Sequence, residues 1–216
     1  RRRAAAELAE AVGLELSRLG MEGASFAVGF ACSDDPEGLP VALPDYEVVG
    51  AGGPERPAPG EALPRTFGDQ GVDQVEFLAS FNRGEDRRPL AAVASGGETS
   101  RFLLALAAVF SATDESRTIV LDEADEGVGG RSGSLVGDAL ARLAERHQVI
   151  CVTHLPQVAA RGRRHFVVSK GEARSGRPES ACREVSGGDR LEELAAMLGG
   201  RSAATLKAAE ELLSSS

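Results

Sequence analysis

The chain has 216 residues, of which 42% are hydrophobic, so it can bury the core of one substantial domain, or of one domain and a small appendage. Its formal net charge of −9 argues against a uniformly basic nucleic-acid clamp, and any contact with DNA has to be local. The three cysteines are widely and irregularly spaced, which suits a reducing compartment, and no apolar run approaches the about 20 residues that cross a bilayer. We therefore expect a cytoplasmic protein without a membrane partner.

Lysine is scarce in this sequence, and Lys170 and Lys207 are the only two. A phosphate-binding loop of the form G-x-x-x-x-G-K-[ST] needs a lysine, and neither of these residues lies in that setting. The sequence therefore predicts that the chain has no such loop of its own. The chain also begins at Arg1 rather than Met, as a fragment or a processed polypeptide would.

The first part of the chain predicts a helix, two strands and a long loop. Residues 1–20 are rich in Ala, Glu and Leu at helical spacing, and predict either an ordinary amphipathic helix or the end of a coiled coil. Residues 24–31 and 72–80 alternate as strands do, and residues 82–85 predict a turn after the second strand. Residues 50–64 are rich in Pro and Gly without apolar periodicity, so we expect a surface loop there.

The second part of the chain predicts alternating helices and strands. A helix is predicted after residues 95–98, with one broad buried face. The apolar positions of that face are Phe102, Leu103, Leu106, Val109 and Phe110. Residues 118–121 and 148–153 are short apolar runs, typical of parallel strands buried on both faces, with a helix predicted at 132–146 and a third strand at 164–169. This alternation predicts an α/β doubly wound sheet, whose functional groups collect at the carboxyl ends of the strands.

Two acids, Asp122 and Glu123, directly follow the apolar run 118–121. In nucleotide hydrolases an acid in this place holds the Mg²⁺ that bridges the β- and γ-phosphates, and a following carboxylate can polarise the attacking water. Asp122 and Glu123 fit these two functions. Two acids that simply end a strand in solvent are the alternative, and the pair alone does not distinguish between them.

The segment Ser95-Gly96-Gly97-Glu98 opens the predicted helix. Adjacent glycines let backbone N–H groups approach an anion, the serine hydroxyl adds a donor, and the helix N-terminus is positive. These properties predict a binding site for a γ-phosphate. A capping box formed by Ser95 and Glu98 would need no ligand, but it is compatible with phosphate binding.

His154 directly follows the apolar run 148–153, where an imidazole can hydrogen-bond a γ-phosphate or the water beside it. A single histidine is more often structural. The order of the elements is what indicates a function: Ser-Gly-Gly-Glu, a helix, a strand that ends in Asp-Glu, another helix, and a strand that ends in His.

In that order, ASGGE, TIVLDEAD and VTHLPQVAA resemble the signature motif, the Walker B strand and the switch histidine of the ABC-type ATPase heads of SMC-like DNA-repair proteins. The longer segments PLAAVASGGETSRFLLAL, LDEADEGVGGRSG and HQVICVTHLPQVAARGRRHFVVSK, with the tail LEELAAMLGG, resemble the C-terminal part of a bacterial member of this family. The resemblance extends from about residue 72 to residue 198. It implies an α/β fragment of an ABC-type ATPase head, P-loop NTPase-like, with a largely parallel sheet flanked by helices.

The resemblance also implies a role for each matching residue. Residues 95–98 would contact the ATP held by an opposing head, and Asp122 would bind Mg²⁺. Glu123 would be the catalytic base and His154 the switch residue. Gly129 lies at the D-loop position, where many ABC proteins have an aspartate, so we expect communication between the two ATP sites to differ here.

In such heads the Walker A loop comes from the N-terminal part of the polypeptide, across a long coiled coil. Residues 1–20 would then be the returning end of that coiled coil, and residues 21–216 the C-terminal lobe of the head. The implied partners are the N-terminal half of the same protein, a second head and DNA. We expect an ATPase that is active only when that half completes it, and that acts in DNA double-strand break repair and recombination at the nucleoid.

Three other functions compete with this one. Residues 122–125 spell DEAD and residues 111–113 spell SAT, as in RNA helicases, but in those helicases SAT follows DEAD. The ATP-binding subunit of a transporter would explain neither the N-terminal helix nor the detailed match. A non-catalytic scaffold that bridges DNA ends in a nucleotide-dependent way is an alternative from another class, and the presence of Glu123 argues against it.

One local basic cluster consists of Arg161, Arg163 and Arg164. Its guanidinium groups could contact DNA phosphates. A solvated run of charges is the more ordinary interpretation of such a cluster.

Overall fold

The fold comes from a computed structural model, which describes residues 1–42, 62–92, 96–111, 116–122, 124–125, 131–172 and 178–215. The chain divides into two compact units, Arg1–Leu14 with Glu22–Ala94 and Glu15–Met21 with Ser95–Ser216. Helix α1 (Arg2–Arg18) confirms the predicted N-terminal helix and contributes residues to both units. The predicted division into a coiled-coil end and a head lobe at residue 20 stays a prediction. In the part of the chain described, no helix is long and apolar enough to span a membrane.

The first unit consists mainly of antiparallel strands. Strands β1 (Ser25–Ala31), β4 (Gln74–Ser80) and β5 (Arg88–Pro89) form a sheet in the order β1-β4-β5. Strands β2 (Asp34–Ala42) and β3 (Ala62–Arg65) form a separate antiparallel pair. The two strands predicted in this part of the chain are thus present as β1 and β4.

The core of this unit involves both faces of the β1-β4-β5 sheet, since the adjacent residues Leu78 and Ala79 of β4 are both buried. Its buried hydrophobic residues include Phe26, Leu78, Ala79 and Phe81. The ring of Phe26 meets that of Phe77 edge to face, with 5.5 Å between the centroids. The contact joins the paired strands β1 and β4.

The predicted turn at residues 82–85 is present, since the N–H of Glu85 donates to the carbonyl oxygen of Asn82 at 3.3 Å. Gly84 takes the positive φ of 84° that such a turn requires. Only the end of the predicted loop at 50–64 can be compared with the structure, because residues 50–61 lie outside the described residues. Residues 62–64 belong to β3 instead, since a two-stranded edge pair tolerates Pro64 opposite Pro40.

The second unit contains the parallel strands that the sequence predicts. Strands β6 (Thr118–Asp122) and β7 (Gln148–Val152) pair in parallel, and α3 (Arg131–Leu143) connects them. Helices α2 (Gly96–Phe110) and α4 (Pro156–Arg161) both pack against α3. This strand-helix-strand unit places the ends of β6 and β7 at one edge of the sheet.

The remainder of this unit is a strand pair followed by two helices. Strands β8 (His165–Glu172) and β9 (Pro178–Val185) are antiparallel, and α5 (Gly187–Met197) and α6 (Ala203–Ser214) follow them. The strand predicted at 164–169 is therefore real, but among the described strands its partner is β9 rather than the parallel pair. Helices α4, α5 and α6 share a core of buried small and branched side chains. These are Ala160, Leu194, Ala195 and Ala209.

Helix α4 is held in place by contacts at its end and along its side. Nη2 of Arg190, on α5, donates to the carbonyl oxygens of Ala160 and Gly162 at 2.9 and 2.7 Å, which satisfies carbonyls at the C-terminus of α4. On α3, a Cβ at Gly137 would lie 3.0 Å from the carbonyl oxygen of Gln157, so the absence of a side chain permits close packing of α3 and α4. The loop before α4, which contains His154, thus adjoins a fixed helix.

The predicted burial of β6 and β7 on both faces is wrong for the described part of the chain. Their side chains alternate between partly covered and exposed, and Val120, Ile150 and Val152 are 66%, 48% and 56% exposed. A strand presents successive side chains to opposite faces, and only one face of this pair is covered by the described residues.

The predicted buried face of α2 is also partly wrong. Phe102 and Leu106 are buried as expected, but Leu104 is buried with them, whereas Leu103 and Phe110 are 49% and 42% exposed. Leu103 and Phe110 are seven residues apart and therefore lie on one side of the helix. An apolar side of α2 is thus left exposed in this unit.

Candidate functional site

Two of the residues predicted to carry chemistry, Asp122 and His154, lie at the carboxyl edge of the parallel pair. Asp122 is the last residue of β6 and is paired in register with Val152, the last residue of β7. Asp125 lies in the turn after β6, and His154 lies two residues beyond the end of β7. Because parallel strands end at the same edge, Asp122 and His154 lie at one edge of the pair, and their functional roles stay predictions.

Asp122 lies on the exposed face of the pair. On β6 it shares that face with Val120, and their register partners Val152 and Ile150 complete it on β7. The carboxylate of Asp122 therefore opens beside an apolar surface that no described residue of this unit covers. The exposed face is therefore accessible both to a ligand of Asp122 and to a segment that packs on its apolar residues.

Asp125, in contrast, is buried completely, with a relative exposure of 0%. Its Oδ2 accepts a hydrogen bond from the Thr153 hydroxyl, and further bonds from the N–H groups of His154 at 3.3 Å and Leu155 at 3.2 Å. The turn after β6 is thereby tied to the loop after β7.

The side chain of His154 is 68% exposed although its backbone is tied to Asp125. Its Nδ1 lies 3.6 Å from Oδ2 of Asp125, just beyond hydrogen-bonding distance. The imidazole therefore projects from the carboxyl edge with most of its surface open to a ligand.

The N-terminus of α2 falls where the sequence predicts it. Gly96 and Gly97 are the first two residues of the helix, and Glu98, the third, is partly buried. The first backbone N–H groups of α2 therefore belong to the predicted phosphate-binding segment. Three other predicted site residues lie outside the described residues, and their roles stay predictions. These are Ser95, Glu123 and Gly129.

The donor groups at this edge suit a magnesium ion that is held by one protein carboxylate and otherwise by water and substrate phosphates. Among the described residues, no three His, Cys, Asp or Glu side chains form a group that could hold a metal ion. Mg²⁺ typically takes one or two protein carboxylates and completes its shell with water and substrate phosphates. The exposed carboxylate of Asp122 fits that mode of binding.

The thiol of Cys151, on β7, lies close enough to the carboxylates of this edge for its pKa to be affected. The pKa of its thiol is raised to about 11, first by burial and then by the carboxylates of Asp125 and Asp122. A raised thiol pKa disfavours the thiolate, which is the reactive form. Cys182, on β9, is exposed and lies on a different strand pair.

We expect alkylation to distinguish Cys151 from a normal thiol. At pH 8 its thiolate fraction should be about 100-fold lower than that of a thiol with an unshifted pKa, and its iodoacetamide modification correspondingly slow. The difference should shrink as the pH rises toward 11. Peptide mapping by mass spectrometry at several pH values measures both cysteines, with Cys182 as the internal comparison; equal rates at pH 8 would contradict the prediction.

The basic cluster of three arginines is largely paired. Arg161 lies 2.8 Å from Asp138, and Arg164 donates two hydrogen bonds to Glu184, at 2.8 and 2.7 Å. The hydrogen bond from Arg164 lowers the pKa of the Glu184 carboxyl. Two of the three guanidinium groups thus have carboxylate partners, which favours the solvated charge run over a DNA contact.

Sequence patterns did not indicate a function for Asp125 or Thr153. Asp125 is the last letter of the misleading DEAD string, and Thr153 is 28 residues further along the chain. Only the parallel pairing of β6 and β7 brings them into contact, so neither spacing nor composition could have found this pair.

Solved structures with this fold are heads of SMC ATPases. One comes from work on ATP-driven dimerization and DNA-stimulated activation of SMC ATPases; it has a TM-score of 0.50 and 16% identity, and the match covers 93% of this chain and 96% of that one. The Smc head domain with a coiled coil and joint from Pyrococcus yayanosii has a TM-score of 0.54 and 18% identity, covering 89% of this chain and 29% of that one. The fold is therefore that of an ABC-type, SMC-like ATPase head.

Closer relatives in sequence are bacterial DNA repair proteins named RecN. The protein of Mycobacterium leprae is 44% identical over 200 residues, which are 93% of this chain and 32% of the relative. That of Streptomyces coelicolor is 39% identical over 215 residues, 99% of this chain and 34% of the relative. No family model matches the sequence. The chain is a homologue of the C-terminal part of RecN, as its motifs predict, and spans about a third of the length of these relatives.

Proposed function

We propose that the chain is the C-terminal half of an ATP-hydrolysing head that dimerises around ATP and acts in DNA double-strand break repair and recombination. The observation that supports this most directly is the carboxyl edge of β6 and β7, where an exposed Asp122 and an exposed His154 lie in the order known from the motifs. We use the term completed protein for this chain together with the proposed N-terminal half.

The first partner in this proposal is the N-terminal half, which would supply the Walker A loop. The chain has two lysines, and neither lies in a phosphate loop. In the same unit, Val120, Ile150 and Val152 leave an apolar face exposed beside Asp122. A segment that covers this face would bring its phosphate loop next to the metal ligand, which is the arrangement that hydrolysis requires.

Each residue at the edge then has a task. Asp122 would hold Mg²⁺, which when bound supplies positive charge to the β- and γ-phosphates. Glu123 would accept a proton from the attacking water, and His154 would hydrogen-bond the γ-phosphate or that water from the end of β7. The backbone N–H groups of Gly96 and Gly97 would bind the γ-phosphate of a second nucleotide.

The second partner is another head. By resemblance, residues 95–98 contact the ATP of the opposing head, so each ATP site contains residues of two molecules. SMC ATPases with this fold are described in terms of ATP-driven dimerization and DNA-stimulated activation, and the proposal extends both properties to this chain. ATP would then close the head dimer and hydrolysis would open it, in a DNA-associated, cytoplasmic assembly.

A mixing experiment tests this shared site. In the completed protein, Ser95→Arg should disable the segment that serves the opposing ATP, and Glu123→Gln should disable the base. When the two inactive variants are mixed in equal amounts, half of the dimers combine one of each and keep one intact site of two. The mixture should therefore recover about a quarter of the wild-type ATPase rate.

The matched control mixes Ser95→Arg with a second preparation of itself, which should stay inactive. If residues 95–98 instead serve the ATP of their own head, no combination restores a complete site. A mixture that hydrolyses ATP no faster than the average of its two components would then reject the dimeric site.

A further inference from the structure

The loop that carries His154 depends on Asp125 for its hydrogen bonds. In the described part of the chain, the N–H groups of His154 and Leu155 donate to Oδ2 of Asp125, and Leu155 also donates to the Thr153 hydroxyl at 3.0 Å. That hydroxyl in turn donates to Oδ2 of Asp125. One buried oxygen thus organises three consecutive residues, and its loss would remove the acceptor of the Thr153 hydroxyl and of the His154 N–H in a partly buried place.

The position of Asp125 excludes direct contact with a nucleotide. The residue is 0% exposed, and its Oδ2 faces donors of the protein itself. Its other oxygen, Oδ1, has no hydrogen-bond partner among the residues described. Any effect of Asp125 on catalysis therefore has to pass through the groups that it holds, and of these only His154 is exposed at the carboxyl edge.

We infer that Asp125 is a positioning residue that fixes the loop after β7 so that the imidazole of His154 points toward the γ-phosphate. The inference rests on the proposed function, because Asp125 acts here through His154. The two strands make this possible: β6 ends in the turn that contains Asp125, and β7 ends in the loop that it holds. The carboxylate of Asp125 thus fixes the position of the loop after β7 relative to the end of β6.

The kinetic test uses the completed protein. Asp125→Ala should lower kcat for ATP hydrolysis by at least about tenfold, as loss of a group that orients a functional side chain commonly does, and change KM for ATP by less than about threefold. Asp125→Asn keeps one oxygen that can accept the same three donors, so it should retain kcat within about threefold of wild type. Thr153→Val, which removes the bridging hydroxyl, should reduce kcat to a smaller extent than Asp125→Ala.

A double variant asks whether the effect passes through His154. If it does, Asp125→Ala combined with His154→Ala should be no slower than His154→Ala alone, because a positioning residue has nothing left to position. If the rate loss of the double variant were the product of the two single losses, the inference would be overturned. A wild-type kcat in His154→Ala would overturn it as well, since the held residue would then have no role.

Hydrogen-deuterium exchange gives a readout that is independent of ATP hydrolysis. In Asp125→Ala, exchange should rise in a peptide spanning residues 153–158 and stay unchanged in α5 and α6. The matched control is Asp138→Ala, which removes another paired carboxylate of the same unit and should alter neither kcat nor that peptide.

The outcomes separate this inference from the function on which it rests. Faster exchange throughout the second unit, with Asp125→Asn as inactive as Asp125→Ala, would show a general role in folding and overturn the inference. A normal rate in Glu123→Gln would reject the proposed base while local exchange around His154 still reports on Asp125.

Discussion

Replacing Glu123 by Gln is expected to lower the ATPase rate of the completed protein by at least about 100-fold, because a positioned general base contributes a factor of this order or more. The substitution keeps the size of the side chain and removes its ability to accept a proton. It leaves Asp122 and the segment 95–98 intact, so ATP binding should change little. Steady-state phosphate release measures the first effect and equilibrium nucleotide binding the second.

Because binding survives and hydrolysis does not, this variant should also accumulate as an ATP-dependent dimer. Analytical ultracentrifugation with and without ATP measures that state. Glu145→Gln is the matched control, since Glu145 is exposed in the turn after α3 and its substitution should leave the rate unchanged. Hydrolysis at the wild-type rate in Glu123→Gln would reject Glu123 as the base, and slow turnover in the wild type itself would favour the non-catalytic scaffold.

The 216-residue chain alone is expected to show no ATP hydrolysis above background, and addition of the N-terminal half should raise the rate by at least about 100-fold. Without a phosphate loop, little holds the β- and γ-phosphates, and Asp122 would have a metal ion but no substrate in place. The measurement is phosphate release by each part and by their mixture. Robust hydrolysis by the isolated chain would contradict the account.

The exposed face of β6 and β7 allows a sharper version of this experiment. Ile150→Glu places a charge on the apolar face beside Asp122 and should weaken binding of the N-terminal half by at least about tenfold, as expected when a buried apolar contact is lost. Val168→Glu is the matched control, because Val168 is also an exposed apolar strand residue, 69% exposed, but lies on β8. Equal losses in both variants would indicate that the face of β6 and β7 has no special role.

Much of the local structure could be predicted from the sequence because it depends on neighbouring residues. The period of apolar residues predicts α1, and the short apolar runs predict β6 and β7 with α3 between them. Glycines at 96 and 97 mark the start of α2. The burial of these elements was less predictable, since Val120 and Leu103 look like core residues but face no described partner. Whether an apolar side chain is buried depends on what packs against it, which a pattern along one element does not contain.

By itself the sequence determined the class of the site: an Asp-Glu pair after an apolar strand, a Ser-Gly-Gly-Glu segment before a helix and a histidine after a second strand, in an order that matches SMC-like heads. It also shows that neither of the two lysines of this chain lies in a phosphate loop. Only the tertiary structure decided which residues hold the site together. Asp125 and Thr153 are 28 residues apart and meet because β6 and β7 are parallel and end at one edge. Such a contact depends on strand pairing, a long-range property that no local pattern of residues specifies.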